Sequence, residues 1–74
     1  MMCLHRVRVP DSDAAESFTD VSLYRCAGTH GVWFNVETRT SEASCAVRFI
    51  TSLREAERIF ASQVRECIRA FAAA

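Results

Sequence analysis

The fold is decided by residues 21–38, which read VSLYRCAGTHGVWFNVET. Apolar and polar residues alternate on both sides of Gly28-Thr-His-Gly31, and glycine adopts the positive φ angles that tight turns need. The stretch therefore predicts a β-hairpin. Pairing Ala27 with Val32 brings together on one face the apolar residues Val21, Leu23, Val32, Phe34 and Val36. A shift of one residue would mix the two faces, so the pattern also predicts the register.

Two further segments alternate like half-buried strands. Residues 4–9 end at Pro10, which cannot donate to a sheet ladder. One face of this strand is expected to turn toward the core and to carry His5, Val7 and Val9. The other face is expected to carry Leu4, Arg6 and Arg8. Residues 45–50 are expected to turn Cys45, Val47 and Phe49 to the core, and Ala46, Arg48 and Ile50 outward.

A long amphipathic helix is predicted over residues 53–71, because apolar residues recur there at helical spacing. Cys67 lies on this apolar stripe, and we expect Cys45 and Cys67 to be buried as small hydrophobic residues. Ser52 and Glu55 have the spacing of a capping box. In that motif the serine hydroxyl accepts from the Glu55 amide, and the carboxylate accepts from the Ser52 amide.

These elements predict one α+β domain, residues 1–74, in the order β-loop-β-β-β-α. A small antiparallel sheet of three to four strands would carry one long C-terminal helix packed on one face. The predicted strands are residues 4–9, 21–27, 32–38 and 45–50. Residues 11–20 are polar and predict a loop, with one helical turn at 13–16 as an alternative.

The amino-acid composition indicates the partners, the source and the location to expect for this protein. Nine arginines, with no lysine, balance nine acidic residues, and a net charge of zero argues against strong nonspecific nucleic-acid binding. The bias toward arginine and alanine indicates a GC-rich genome, that of a bacterium, a phage or a mobile element. The N-terminus lacks a signal-peptide pattern, and no run of about 18 apolar residues predicts a membrane helix. We therefore expect a cytoplasmic protein with reduced thiols.

Cys3-x-His5 and Cys26-x3-His30 contain residue types that bind zinc. Neither spacing is a common zinc motif, and the expected register places the two pairs on opposite sides of the sheet. We predict no metal and no cofactor. Cys26 and His30 also have the residue types of a nucleophile and its base, but nothing in 74 residues predicts a cleft. The chain is therefore expected not to be an enzyme.

The candidate binding surface is the sheet face away from the helix. It is expected to collect Arg6, Arg8, Tyr24, Trp33, Asn35 and Arg48. Aromatic and arginine side chains are enriched in the centres of protein interfaces, so we expect Trp33 and Tyr24 to anchor a partner. Two explanations without function remain open. The arginines would stack on Trp33 and Tyr24, or the N-terminal segment or residues 11–20 would fold over Trp33.

These features predict a small non-enzymatic protein-binding module. Its partner would be another protein, a nucleoprotein complex or a second copy in a homodimer, and not a membrane. Phage and mobile-element inhibitors of host defences, anti-CRISPR proteins among them, share this size, composition and architecture, so we expect by analogy an inhibitor that blocks a macromolecular surface. The acidic residues Asp11, Asp13, Glu16 and Asp20 would then mimic phosphates, or would simply form a solvated loop.

The alternative function is binding of single-stranded nucleic acid by stacking bases on Trp33 and Tyr24. The three arginines of the same face favour it. The zero net charge, Glu37 on that face and the lack of an RNA-binding signature count against it. Nucleic acid is therefore the less favoured partner.

Overall fold

The computed structural model describes residues 1–10 and 18–73, with side chains described up to residue 70. Within these ranges, four strands form one antiparallel sheet and one helix follows them, which confirms the predicted α+β fold. The elements are β1 (Met2–Pro10), β2 (Phe18–Gly28), β3 (Gly31–Thr40), β4 (Ser44–Ile50) and α1 (Leu53–Ala73). Each strand pairs with the next one in the chain, so β1 and β4 form the two edges. The predicted helical turn at 13–16 lies outside the described residues.

The β2–β3 hairpin has the predicted register. Ala27 lies opposite Val32 and Leu23 lies opposite Val36. Gly31 at the turn has a φ of 109°, a conformation in which a side chain would be strained. This pairing buries one face of both strands, which a shift of one residue would not do.

The core lies between the sheet and α1. Its buried residues are Val21, Leu23, Phe34, Val36, Ile50 and Ala56, and Leu4, Ile59, Phe60, Val64 and Cys67 pack against them. Ala56 is fully buried, and its small side chain lets the helix approach the strands closely. The ring of His5 lies 5.8 Å from that of Phe60, which places His5 on the helix side of the sheet. The helix lies mainly over β1 to β3 and reaches β4 least.

A β-bulge in β4 reverses two predicted orientations. Val36 pairs with Val47 and Phe34 pairs with Ile50, so Asn35 lies opposite two residues, Arg48 and Phe49. The extra residue shifts the alternation by one position. Ile50 consequently enters the core, whereas Phe49 points away from the helix and is 69% exposed. The prediction that Phe49 is buried and Ile50 faces outward was wrong.

A second irregularity occurs in β1, where Cys3 pairs with Tyr24 and His5 with Leu23. Leu4 is the extra residue, and it packs against the core instead of facing outward as predicted. Cys3 and His5 therefore do not share a face, although residues two apart in a regular strand would do so.

The two cysteines expected in the core have different surroundings. Cys67 is partly buried against the core, in line with the prediction. Cys45 is exposed, and its predicted burial was wrong. The cause is that α1 makes little contact with β4 and leaves the helix side of that strand open.

Half of the predicted capping box forms at the start of α1. The Glu55 amide donates to Ser52 Oγ over 3.3 Å. The Glu55 carboxylate accepts from the Arg58 guanidinium instead of the Ser52 amide, because Arg58 lies one turn further along the same helix face. This contact lowers the pKa of Glu55. Among the described residues, no helix has the length and apolar character needed to cross a membrane.

Candidate protein-binding surface

The sheet face opposite α1, called here the outer face, carries all six predicted binding residues. The paired strands place them in the order Arg6 and Arg8 on β1, Tyr24 on β2, Trp33 and Asn35 on β3, and Arg48 on β4. They do not form one uniform surface. Arg6, Arg8 and Tyr24 belong to a polar network toward β1, whereas Trp33, Asn35 and Arg48 lie around the bulge of β4.

Arg6 is held by two residues of the neighbouring strand. Its Nε donates to Ser22 Oγ over 3.1 Å, and its Nη2 donates to Tyr24 Oη over 3.0 Å. The hydrogen bond to Tyr24 raises the pKa of Arg6 above its usual value. Arg6 and Tyr24 are thus linked across the strands, although Arg6 keeps further N–H donors.

Arg8 forms a bidentate ion pair with Asp20. Its Nε and Nη2 donate to the two carboxylate oxygens over 2.9 and 3.2 Å. The guanidinium carbon also lies 3.9 Å from the ring centre of Phe18, a cation–π contact. The hydrogen bond from Arg8 holds the pKa of Asp20 below its ordinary value and raises that of Arg8. Asp20 therefore does not act as a free acidic group.

This ion pair predicts a pH-dependent contribution to stability. A carboxyl whose pKa is lowered by folding stabilises the protein above its unfolded pKa of about 3.9 and loses that contribution as pH falls through the folded value. We expect Asp20→Asn to lower the melting temperature at pH 7 by more than at pH 3. Thermal melts followed by circular dichroism at both pH values measure this. An equal loss at the two pH values would contradict the ion-pair account.

A shallow concavity of about 90 Å³ lies within this polar network, lined by Arg6, Asp20, Ser22, Tyr24, Glu37 and Arg39. Arg39 Nη2 lies 3.9 Å from Glu37 Oε1, and Asp20 is already paired. Opposite charges therefore balance within the concavity, which leaves little field to attract an ion of either sign.

The second group of outer-face residues is called here the aromatic cluster and consists of Trp33, Phe49 and Arg48. The ring centres of Trp33 and Phe49 are 5.6 Å apart with the planes tilted by 34°, a favourable aromatic geometry. Trp33 lies against Gly28, where a Cβ atom would come within 3.2 Å of the indole ring. The missing side chain of Gly28 thus gives the indole its place on the sheet.

Asn35 supports the cluster from the sheet. Its Oδ1 accepts a hydrogen bond from the Phe49 amide over 3.1 Å, and its Nδ2 donates to Cys26 Sγ over 3.6 Å. The Phe49 backbone has a φ of 59°, a left-handed conformation that a bulky residue rarely adopts. Such a residue is strained by roughly 1–2 kcal/mol. Asn35 therefore positions Phe49, and its amide is already occupied.

Arg48 differs from the other two predicted arginines. It is exposed, and among the described residues it makes no hydrogen bond or ion pair. In the same part of the chain no arginine stacks on Trp33, although Arg6 contacts Tyr24 across the strands, so the explanation by arginine contacts fails for Trp33 only. The aromatic cluster therefore presents two rings and one guanidinium that none of the described residues occupies.

Phe49 is the member of the cluster that sequence reasoning missed. Strict alternation in residues 45–50 assigns it to the core, and no glycine or asparagine in that segment indicates a bulge. Asn35 accepts the hydrogen bond of the Phe49 amide, and it is distant from that segment in the sequence. Whether residues 11–17 approach Trp33 lies outside the described residues.

The described residues contain no group of three or more histidine, cysteine or acidic side chains that could hold a metal ion. His5 faces α1 while Cys3 faces the other way, and His30 is exposed in the hairpin turn. Comparison with protein families, with curated proteins and with solved structures finds no match for this chain. Its function must therefore be inferred from the outer face itself.

Proposed function

We propose that this chain is a small non-enzymatic protein-binding module that acts by occupying a partner's surface with the aromatic cluster. The observation that carries the proposal is the placement of Phe49. Its ring is 69% exposed although its backbone is held at a φ of 59°. The same bulge buries Ile50, whereas Phe49 packs only against Trp33 among the described rings and leaves most of its surface in solvent.

The cluster has the composition of an interface hot spot. Aromatic and arginine side chains dominate the binding energy of protein interfaces, and burial of one aromatic ring removes roughly 150–250 Å² from water. Trp33 backs Phe49 and holds it in one orientation, so less side-chain entropy is lost on binding. Arg48 supplies donors for a carboxylate or a backbone carbonyl of the partner.

The charges of the outer face favour a protein partner over a nucleic acid, because two of its arginines are paired with acidic side chains. Arg8 is neutralised by Asp20, and Arg39 lies beside Glu37. Binding of single strands remains the second candidate, since two rings next to a free guanidinium also resemble a stacking platform. It predicts affinity for a short oligonucleotide that falls steeply with salt, and no binding at low salt would exclude it.

A cytoplasmic inhibitor is the form of this function that we favour. The analogy to phage and mobile-element proteins of the anti-CRISPR type rests on size, composition and architecture alone. On that analogy, the aromatic cluster would cover a nucleic-acid-binding site or an assembly surface of a host defence complex. Of the acidic residues considered as phosphate mimics, Asp20 is paired with Arg8, which weakens that part of the analogy.

Affinity capture tests the proposal. Tagged wild-type protein, Phe49→Gly and Ile68→Ala are incubated with a GC-rich bacterial lysate, half of which is treated with nuclease. Ile68 is 51% exposed on α1, away from the outer face, and serves as the matched control. We expect a protein retained by the wild type and by Ile68→Ala in both halves but lost with Phe49→Gly. Retention that requires nucleic acid would favour the second candidate, and retention by Phe49→Gly would refute the assigned surface.

A further inference from the structure

The strand β4 lies at one edge of the sheet. Among the described strands β4 pairs with β3 alone, so that the backbone groups of its other side can pair with another strand. Residues 44–47 carry no charge. Val47 is 43% exposed and Cys45 is also exposed, on the side where α1 offers little cover. The other edge, β1, is interrupted by the bulge at Leu4 and ends at Pro10.

We propose that β4 pairs with β4 of a second copy of this chain, antiparallel and around a two-fold axis at Ala46. Directly opposite residues of an antiparallel pair share a face of the sheet. Cys45 would lie opposite Val47 of the second copy on the helix side, and Ala46 would lie opposite its own equivalent on the outer face. The two sheets would join into one, with both helices on the same side.

The apolar surface around β4 is self-complementary in this register. Each strand contributes one Val47 and one Cys45, so apolar residues meet apolar residues twice. A neighbouring cavity of about 120 Å³, lined by Thr38, Thr40, Ala43, Ser44 and Cys45, lies beside the position that Val47 of the second copy would take. An unrelated strand would have to reproduce this pattern, whereas a second copy supplies it by symmetry.

The charges around the edge also favour a second copy. Arg48 would lie opposite Ser44 of the second copy, close to Glu42 in the turn that precedes β4 of that copy. In the part of the chain that the structure describes, neither the Arg48 guanidinium nor the Glu42 carboxylate has an ion-pair partner. Two symmetric ion pairs result, and a chain of zero net charge does not repel its own copy.

The bulge at Phe49 limits the length of the paired segment, because it interrupts the regular edge beyond Arg48. The interface is therefore small, and interfaces below about 1,200 Å² usually form weak and reversible complexes. The two aromatic clusters would lie on the same face, with their Phe49 residues roughly 20 Å apart along the strands. Arg48 retains further donors for a partner, since a carboxylate occupies two of its five N–H groups.

Sedimentation velocity over a range from low micromolar to near-millimolar concentration tests this pairing. We expect the wild type to shift with concentration from the 8.3 kDa monomer to twice that mass. Val47→Lys is expected to remain monomeric, because it places a charge beside the edge. Val32→Lys is the matched control, since Val32 is a strand valine with 44% exposure against 43% for Val47, and it should still dimerise. A wild type that stays monomeric throughout, or a Val47→Lys variant that dimerises normally, overturns the proposal.

A cross-link tests the register and does not depend on the folding of Val47→Lys. In a Cys3→Ser, Cys45→Ser background, Ala46→Cys places two thiols opposite each other with Cα atoms about 4.5–5.5 Å apart, a separation that a disulfide spans. Mild oxidation is expected to yield a covalent dimer on a non-reducing gel. Val32→Cys in the same background should yield none. Failure of Ala46→Cys to cross-link, or equal cross-linking of both variants, refutes this pairing.

Discussion

Replacing Phe49 with glycine is expected to abolish partner binding while leaving the domain more stable than replacement with alanine does. Both substitutions remove the exposed ring from the aromatic cluster. They differ in the backbone, because a φ of 59° strains alanine but not glycine. Glycine relieves roughly 1–2 kcal/mol of backbone strain. Its greater freedom in the unfolded chain costs roughly 0.5–1 kcal/mol, so the difference favours glycine by about 0.5–1 kcal/mol.

The same pair of substitutions at Val32 provides the control. Val32 is an exposed strand residue with a negative φ, so glycine there should be less stable than alanine by about 0.5–1 kcal/mol. Urea denaturation of the four variants measures both differences. The difference in unfolding free energy between the glycine and the alanine variant should have opposite signs at Phe49 and at Val32. If the glycine variant were less stable than the alanine variant at both positions, the Phe49 backbone would not be strained. The fold would then not hold this ring outward against a cost.

Replacing Leu23 with alanine is expected to destabilise the domain by about 3 kcal/mol, within the range of 2–5 kcal/mol typical of such truncations. Leu23 is fully buried at the centre of the sheet, between β1 and β3, where a cavity would be surrounded by packed side chains. A chain of 74 residues has a total stability of roughly 4–11 kcal/mol. The substitution therefore removes a large share of it and should populate unfolded protein near physiological temperature.

Leu53→Ala is the matched comparison for Leu23→Ala, because Leu53 is 44% exposed at the start of α1. We expect it to change the free energy of unfolding by less than about 1 kcal/mol. Both variants are measured by urea denaturation at a low protein concentration, so that self-association does not contribute. Equal losses for the two leucines would mean that the core does not lie between the sheet and α1.

The sequence predicts the hairpin register well because two alternating strands constrain each other. Pairing Ala27 with Val32 buries Val21, Leu23 and Val36 on one face, a shift of one residue would separate them, and the structure has this pairing. The same rule failed in single strands that contain an extra residue. Alternation in β1 and β4 carries no trace of the bulges at Leu4 and Phe49, which exchange the faces of the residues around them.

The candidate surface was predictable in its location but not in its internal pairing. Alternation placed the arginines and aromatic residues on one face. The ion pair between Arg8 and Asp20 depends on the register of β1 against β2, and the polar segment between those strands gives no signal for it. Asn35 is predicted to contact a partner, and alternation gives no signal for the hydrogen bonds that its amide makes to the Phe49 backbone and the Cys26 thiol.

The most direct test is the affinity of the captured partner for wild type, Phe49→Gly and Ile68→Ala, measured by titration calorimetry at one salt concentration. Loss of an interface hot spot usually weakens binding by about 2 kcal/mol or more, or roughly 30-fold. We predict at least that loss for Phe49→Gly and less than about a twofold change for Ile68→Ala. Equal affinities of the wild type and Phe49→Gly, with both folded, would contradict the claim that this protein binds through its aromatic cluster.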